Sequence, residues 1–166
     1  MENIDPNQAK RVWSRVLAQE DAPEGAAQTA ENRFAPKVLA AMQAQKEDLA
    51  LYRYLMRRLC SPALGNLKTL AEHTECRIKT LGAVYYLETG KKACAEREKS
   101  VCIACANEAL RQQYERVAAQ AEAYRALGEE MPGYACEMDQ LAGLLCCDKK
   151  LILEILFYGK TMMVYF

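Results

Sequence analysis

The stretch Leu49-Ala50-Leu51-Tyr52-Arg53-Tyr54-Leu55 returns later in the chain as Ala121-Glu122-Ala123-Tyr124-Arg125-Ala126-Leu127. A second pair of matching segments, Leu70-Ala71 and Leu141-Ala142, lies at nearly the same offset. Both copies are rich in helix-forming residues, and the whole chain contains only 8 Gly and 5 Pro. The repeat therefore predicts two similar halves, each built from two consecutive helices.

The turn residues and the apolar spacing set the bounds of four long helices. The predicted helices cover about residues 36–60, 62–89, 101–131 and 134–158. Ser61-Pro62 and Pro132-Gly133 make short turns within the two halves, and Gly90 ends the second helix. Apolar residues recur at spacings of three and four in each helix, so each presents one face to the interior of a four-helix bundle. The longer charged segment 91–100 joins the two helical hairpins as a crossover.

Three segments follow from these bounds. Residues 1–35 hold a short N-terminal helix, about residues 6–20, and a loop, since Asp5-Pro6 is a typical helix start. Residues 36–160 form the bundle, and residues 161–166 form an apolar C-terminal tail. Segments 151–157 and 162–166 carry more apolar surface than one helix face can bury. The tail is therefore expected to cover an end of the bundle or to contact a second copy in a homodimer.

Charge and composition exclude several classes of protein. Lys and Arg total 22 and Asp and Glu total 22, and this balance argues against a general nucleic-acid binder. No apolar run is long enough to span a membrane, and the acidic N-terminus does not resemble a signal peptide. We therefore expect a cytoplasmic protein whose 8 cysteines are reduced.

Four polar residues interrupt the apolar stripes near the middle of their helices: Gln45, Thr74, Arg77 and Asp148. Inward polar side chains are costly unless they are paired. Two interpretations remain open. The four residues lie at a solvated end of the bundle, or they form one polar layer at mid-depth.

Several short patterns carry a family resemblance over about residues 31–158. They are Asp48 to Leu55, Leu70-Ala71-Glu72 leading to Leu81, Glu108-Ala109-Leu110-Arg111 with Tyr114, Ala123-Tyr124-Arg125 and the internal repeat. In these patterns the chain resembles a rubrerythrin-type member of the ferritin-like superfamily. The resemblance implies an all-α, ferritin-like four-helix bundle of two helical hairpins joined by a long crossover.

The resemblance also implies a place for a di-iron centre, which takes one Glu from each of two helices and a Glu-x-x-His from each of the other two. The two single-Glu positions fall on Gln45 and Val117. The Glu-x-x-His positions fall on Thr74 with Arg77 and on Leu145 with Asp148. All six positions are substituted, so we expect no metal cofactor, with iron as the alternative.

In place of the metal, the sequence predicts a buried bidentate ion pair between Arg77 and Asp148. Gln45 and Thr74 would satisfy the remaining donors and acceptors of this pair. Val117 and Leu145 would fill the space of two former carboxylates.

The cysteines offer two further candidates. Cys102-Ile103-Ala104-Cys105 is a C-x-x-C at the expected start of the third helix, where a helix N-terminus favours thiolate chemistry at Cys102. His73 and Cys76 lie three residues apart and would hold a metal together with Cys147.

Two classes of function therefore compete. The first is a rubrerythrin-related protein without its di-iron site that serves as a non-catalytic binding or structural module. The second is an oxidoreductase, either of the rubrerythrin type with iron or peroxide chemistry or a thiol-based redox protein that uses Cys102 and Cys105.

Overall fold

The computed structural model describes residues 33–59, 63–93 and 103–162, with side chains as far as Phe157. This part of the chain is all helical, as predicted. Its elements are α1 (Ala35–Met56), α2 (Ala63–Thr89), α3 (Ala106–Glu130), a 3₁₀ turn at Pro132–Tyr134 and α4 (Ala135–Met162). The helices belong to one unit, Phe34–Phe166. The predicted helix over residues 6–20 and the last four tail residues lie outside the described part.

Two helix ends follow the sequence signals closely. Pro36 lies in the first turn of α1, where its missing N–H is not needed. Gly90 follows the end of α2 with a φ of 65°, and its N–H donates to the Tyr86 carbonyl at 2.8 Å. A left-handed residue at this position is a common helix terminus that glycine adopts without strain. The prediction that Gly90 ends α2 is confirmed.

Two other helix ends differ from the prediction. α1 ends at Met56 rather than near Cys60, because the Arg57 and Arg58 N–H groups donate to carbonyls only three residues earlier. α3 begins at Ala106 rather than near Val101, because Cys105 has an extended backbone with φ −137° and ψ 122°. At the other end of the chain, α4 continues past residue 158 to Met162.

Contacts between side chains fix the directions of the helices. α1 is antiparallel to α3, because Lys37 contacts Glu130 while Tyr52, further along α1, contacts Gln113. α1 is also antiparallel to α2, since Arg53 pairs with Glu75 while Gln45 meets Arg77. α2 and α3 therefore run in the same direction, and the end of α2 and the start of α3 lie at opposite ends of the bundle.

The pattern of neighbours completes the arrangement. α1 packs closely against α2 and α3 against α4, so each half of the repeat is a hairpin. The hairpins meet mainly through α2 and α4, which are antiparallel because Asn66 contacts Glu154 while His73 contacts Asp148. α1 and α3 approach each other more sparsely.

The predicted stripes form the core. Leu67, Leu70, Leu110 and Leu145 are fully buried, and each such burial is worth about 1.5–3 kcal/mol relative to an exposed side chain. Toward the end of α4, some apolar side chains lie outside the buried face of the helix. Leu153 and Phe157 are 49% and 68% exposed, which confirms that this segment carries more apolar surface than its own helix face buries.

Candidate functional site

Arg77 lies in the core of the bundle, and its side chain is 1% exposed. Its Nη1 contacts Asp148 Oδ2 at 2.6 Å, its Nε donates to Gln45 Oε1 at 2.6 Å, and its Nη2 donates to Thr74 Oγ1 at 2.8 Å. The Thr74 hydroxyl in turn donates to the Leu70 carbonyl at 2.7 Å. Each of the three guanidinium nitrogens therefore has a partner within the protein.

Asp148 pairs with two residues of α2. Its Oδ2 faces Arg77, and its Oδ1 lies 2.6 Å from His73 Nδ1. Asp148 is fully buried, whereas the His73 side chain is 29% exposed. The carboxylate holds the imidazole by Nδ1, so a neutral His73 would carry its proton on that nitrogen and leave Nε2 as the acceptor.

The hydrogen bonds continue from α2 across α1 to α3. Gln45 Nε2 donates to Gln120 Oε1 at 2.9 Å, and Gln120 Nε2 donates to Asp48 Oδ2 at 2.8 Å. Asp48 Oδ1 lies 3.3 Å from Arg116 Nε, at the partly exposed edge of the bundle. We call the linked set the polar layer: Gln45, Asp48, His73, Thr74, Arg77, Arg116, Gln120 and Asp148. Its residues come from all four helices.

The two buried carboxylates of the polar layer differ in environment. Burial raises the pKa of Asp48 above its ordinary value, and Arg116 and Gln120 offset only part of this effect. Burial opposes the charged form of Arg116 too, but Asp48 and Glu47 outweigh it and raise the pKa of Arg116. Asp48 is therefore held by a half-exposed partner, whereas Asp148 meets a guanidinium that is itself buried.

The structure brings the six substituted positions to the interior. Gln45, Thr74, Val117, Leu145 and Asp148 are 0% exposed and Arg77 is 1% exposed. The prediction of one interior polar layer is confirmed for the four polar members, because Arg77 contacts each of the other three. Their assignment as former metal-ligand positions stays a prediction.

The predicted ion pair is confirmed, but its geometry is not bidentate. Only Nη1 of Arg77 contacts Asp148, because His73 occupies the second carboxylate oxygen and Gln45 and Thr74 occupy the other guanidinium nitrogens. The pair is thus part of a branched network.

Sequence reasoning missed four members of the polar layer, namely Asp48, Arg116, Gln120 and, in this role, His73. Asp48 is 1% exposed, so Arg77 and Asp148 are not the only opposite charges in the interior. Its spacing was the available signal, since it lies three residues after Gln45 on the same helix face. Arg116 and Gln120 lie on the facing helix, α3. Spacing within one helix does not reveal contacts between helices.

The structure tests the two cysteine-based candidates only in part. His73 Nδ1 is held by Asp148, and Cys76 and Cys147 are exposed. Among the described residues no group of three His, Cys, Asp or Glu side chains is placed to hold a metal ion. The C-x-x-C does not open α3, because Cys105 is the residue before its first turn. Cys102 lies outside the described part, so its predicted reactivity stays a prediction.

None of the helices in the described residues is both long and apolar enough to cross a membrane. No protein-family model, curated protein or solved structure matches the chain.

Proposed function

We propose that the chain is a ferritin-like, rubrerythrin-related bundle in which a protein ion pair stands where the family holds two iron ions. In this proposal the bundle is a non-catalytic binding or structural module. The observation that carries it is the Arg77–Asp148 contact at 2.6 Å in the interior, joined by Gln45 and Thr74.

The arrangement of helices supports the proposal. Two antiparallel hairpins whose second and third helices run in the same direction are the topology that one long crossover produces. The six positions aligned with the di-iron ligands come from all four helices and are buried. A di-iron centre built from inward-facing side chains of a bundle needs this placement.

The chemistry of the six side chains opposes iron in three ways. Arg77 adds a fixed positive charge where a cation would lie. Val117 and Leu145 supply no donor atoms and fill space with carbon. Asp148, the one carboxylate among the six, is already engaged by Arg77 and His73.

The direct test is metal analysis of the purified full chain after anaerobic incubation with excess Fe(II) and gel filtration. We expect no stoichiometric iron and no oxo-bridged iron absorption after exposure to air. Two iron ions per chain, lost on Arg77→Lys or Asp148→Asn substitution, would contradict the proposal.

A restored variant tests the assignment of the positions themselves. It combines Gln45→Glu, Thr74→Glu, Arg77→His, Val117→Glu, Leu145→Glu and Asp148→His. If the six positions correspond to the ligands, this variant binds two metal ions per chain, and Co(II) absorption reports the binding. A matched variant with the same six residue types at the exposed positions Lys68, Glu72, Lys79, Arg111, Gln112 and Asp139 should not bind them.

A further inference from the structure

The imidazole of His73 is oriented by the interior of the bundle. Its Nδ1 lies 2.6 Å from Asp148 Oδ1, and the other oxygen of Asp148 is held by Arg77. Asp148 and Arg77 are buried, whereas the His73 side chain is 29% exposed. A neutral imidazole that donates through Nδ1 keeps the lone pair of Nε2 available. Among the described residues Nε2 has no hydrogen-bond partner.

A thiol lies beside this imidazole on the same helix. α2 is continuous from Ala63 to Thr89, so His73 and Cys76 are neighbours on its surface, with Cβ atoms about 5–6 Å apart. Cys76 is a free, exposed cysteine, and its thiol has no hydrogen-bond partner among the described residues. Two intervening residues are also a common separation between the ligands of a zinc ion.

The carboxylate behind His73 is the feature that spacing could not show. Histidines that bind metal ions almost always donate their second ring N–H to a carboxylate or carbonyl, which fixes the tautomer and makes the coordinating nitrogen a stronger ligand. Asp148 holds the imidazole in this way. Imidazole nitrogen and thiolate sulfur suit Zn²⁺ and similar transition-metal ions, whereas Mg²⁺ and Ca²⁺ prefer oxygen.

We propose that His73 Nε2 and Cys76 Sγ form an open surface site for one zinc-class ion, with Asp148 as the positioning residue. No group of three His, Cys, Asp or Glu side chains in the described part of the chain is placed to hold an ion, so the protein supplies two ligands and Cys147 is not a third. Zn²⁺ is usually four-coordinate, which leaves two positions for water or a small external ligand. This inference goes beyond the proposed function, which concerns the interior of the bundle.

The test titrates the full, reduced chain with Zn²⁺ and follows the ring nitrogens by NMR. His73 is the only histidine in the chain, so its ring signals are unambiguous. We expect Zn²⁺ to shift the Nε2 resonance while Nδ1 keeps its proton and its bond to Asp148. A saturating titration that leaves Nε2 unchanged, or that removes the proton from Nδ1, would overturn the inference.

Surface variants identify the second ligand. Cys76→Ser should weaken Zn²⁺ binding at His73 at least about tenfold, because one of two protein ligands is lost. Cys136→Ser, at another exposed cysteine, is the matched control and should leave binding at His73 unchanged. Equal affinities in the two variants would show that Cys76 is not a ligand and would overturn the site.

Asp148→Asn tests the positioning role. It should weaken Zn²⁺ binding about ten- to hundredfold, as the loss of a carboxylate behind a metal-binding histidine does. In the ion-free variant, the proton of the neutral imidazole should also be shared between Nδ1 and Nε2. A folded Asp148→Asn chain with unchanged affinity and tautomer would overturn the role given to Asp148. If this variant does not fold, the Cys76→Ser comparison still decides the site.

The two proposals fail separately. Two iron ions per chain, lost on Arg77→Lys substitution, would overturn the proposed function and leave the Zn²⁺ result at His73 standing. An unchanged Nε2 resonance in a chain that also takes up no iron would overturn only the surface site.

Discussion

Arg77 is the largest fully buried side chain in the described part of the chain, and it is charged. Burial of a guanidinium is tolerated here because Asp148, Gln45 and Thr74 each take one of its nitrogens. Such a pair need not add net stability relative to apolar residues of the same volume, because desolvation offsets much of the attraction. Removal of only one of the two charged side chains does destabilise the fold, because the other charge then stays buried without its partner.

Arg77→Ala should therefore lower the free energy of unfolding by about 3–5 kcal/mol, measured by urea denaturation. The matched control is Arg53→Ala, which removes an exposed ion pair with Glu75 and should cost less than about 1 kcal/mol. Equal effects of the two substitutions would show that the interior pair is not what holds this part of the bundle.

Asp48→Asn should act in the opposite direction. Burial raises the pKa of Asp48 in the folded chain above the unfolded value, so the folded state binds more protons between the two values. Stability contributed by this group is present at low pH and is lost as the pH rises through the folded pKa. The substitution should raise stability at neutral pH and remove this loss, as seen in denaturation curves collected from pH 3 to pH 8. A drop in stability at neutral pH would contradict the pKa direction.

At the scale of the helices, Gly128 of α3 lies close to the start of α4. A Cβ built at Gly128 would lie 3.2 Å from Met138 Cβ and 3.5 Å from Ala135 Cα, whereas a Cβ at Gly143 meets nothing within 4 Å. The absence of a side chain at Gly128 therefore allows α3 and α4 to approach each other, whereas Gly143 has no such role.

Alanine substitutions at these two glycines should separate the two roles. Gly143→Ala should stabilise the chain by about 0.5–1 kcal/mol through helix propensity alone. Gly128→Ala should not stabilise the chain by this amount, because Met138 has to move away from the new Cβ. The melting temperature of the Gly128 variant should therefore lie below that of the Gly143 variant. A gain of equal size at both positions would show that α3 and α4 can separate without cost.

At the scale of the whole molecule, the polar layer links the two hairpins. Arg77 and His73 of the first hairpin meet Asp148 of the second, while Gln45 and Asp48 of the first meet Gln120 of the second. The α1–α3 side is sparsely packed, and Gln120 is one of the side chains that connect the hairpins there.

Gln120→Leu should lower the free energy of unfolding by about 1–3 kcal/mol, because it leaves buried polar atoms of Gln45 and Asp48 unpaired. Gln112→Leu, at an exposed position of the same helix, is the control and should change stability by less than about 0.5 kcal/mol. If the two variants unfold at the same urea concentration, the hydrogen bonds of Gln120 between the hairpins do not contribute to stability.

The sequence by itself determined the helices and which of their faces turn inward. Spacings of three and four predicted most of the buried residues of all four helices, and Gly90 and Pro132 predicted two of the helix ends. These features are local, because a helix face and a helix terminus depend on residues within one or two turns of each other. The odd polar residues in the stripes could be recognised for the same reason.

Only the tertiary structure decided how those polar residues are paired. The single contact between Arg77 and Asp148, the place of His73 on the second carboxylate oxygen, and the chain of Gln45, Gln120 and Asp48 join residues on different helices. Their pairing depends on the relative height and rotation of neighbouring helices, which spacing within one helix does not contain. The sparse approach of α1 and α3 has the same origin, because it too depends on how the two hairpins are placed against each other.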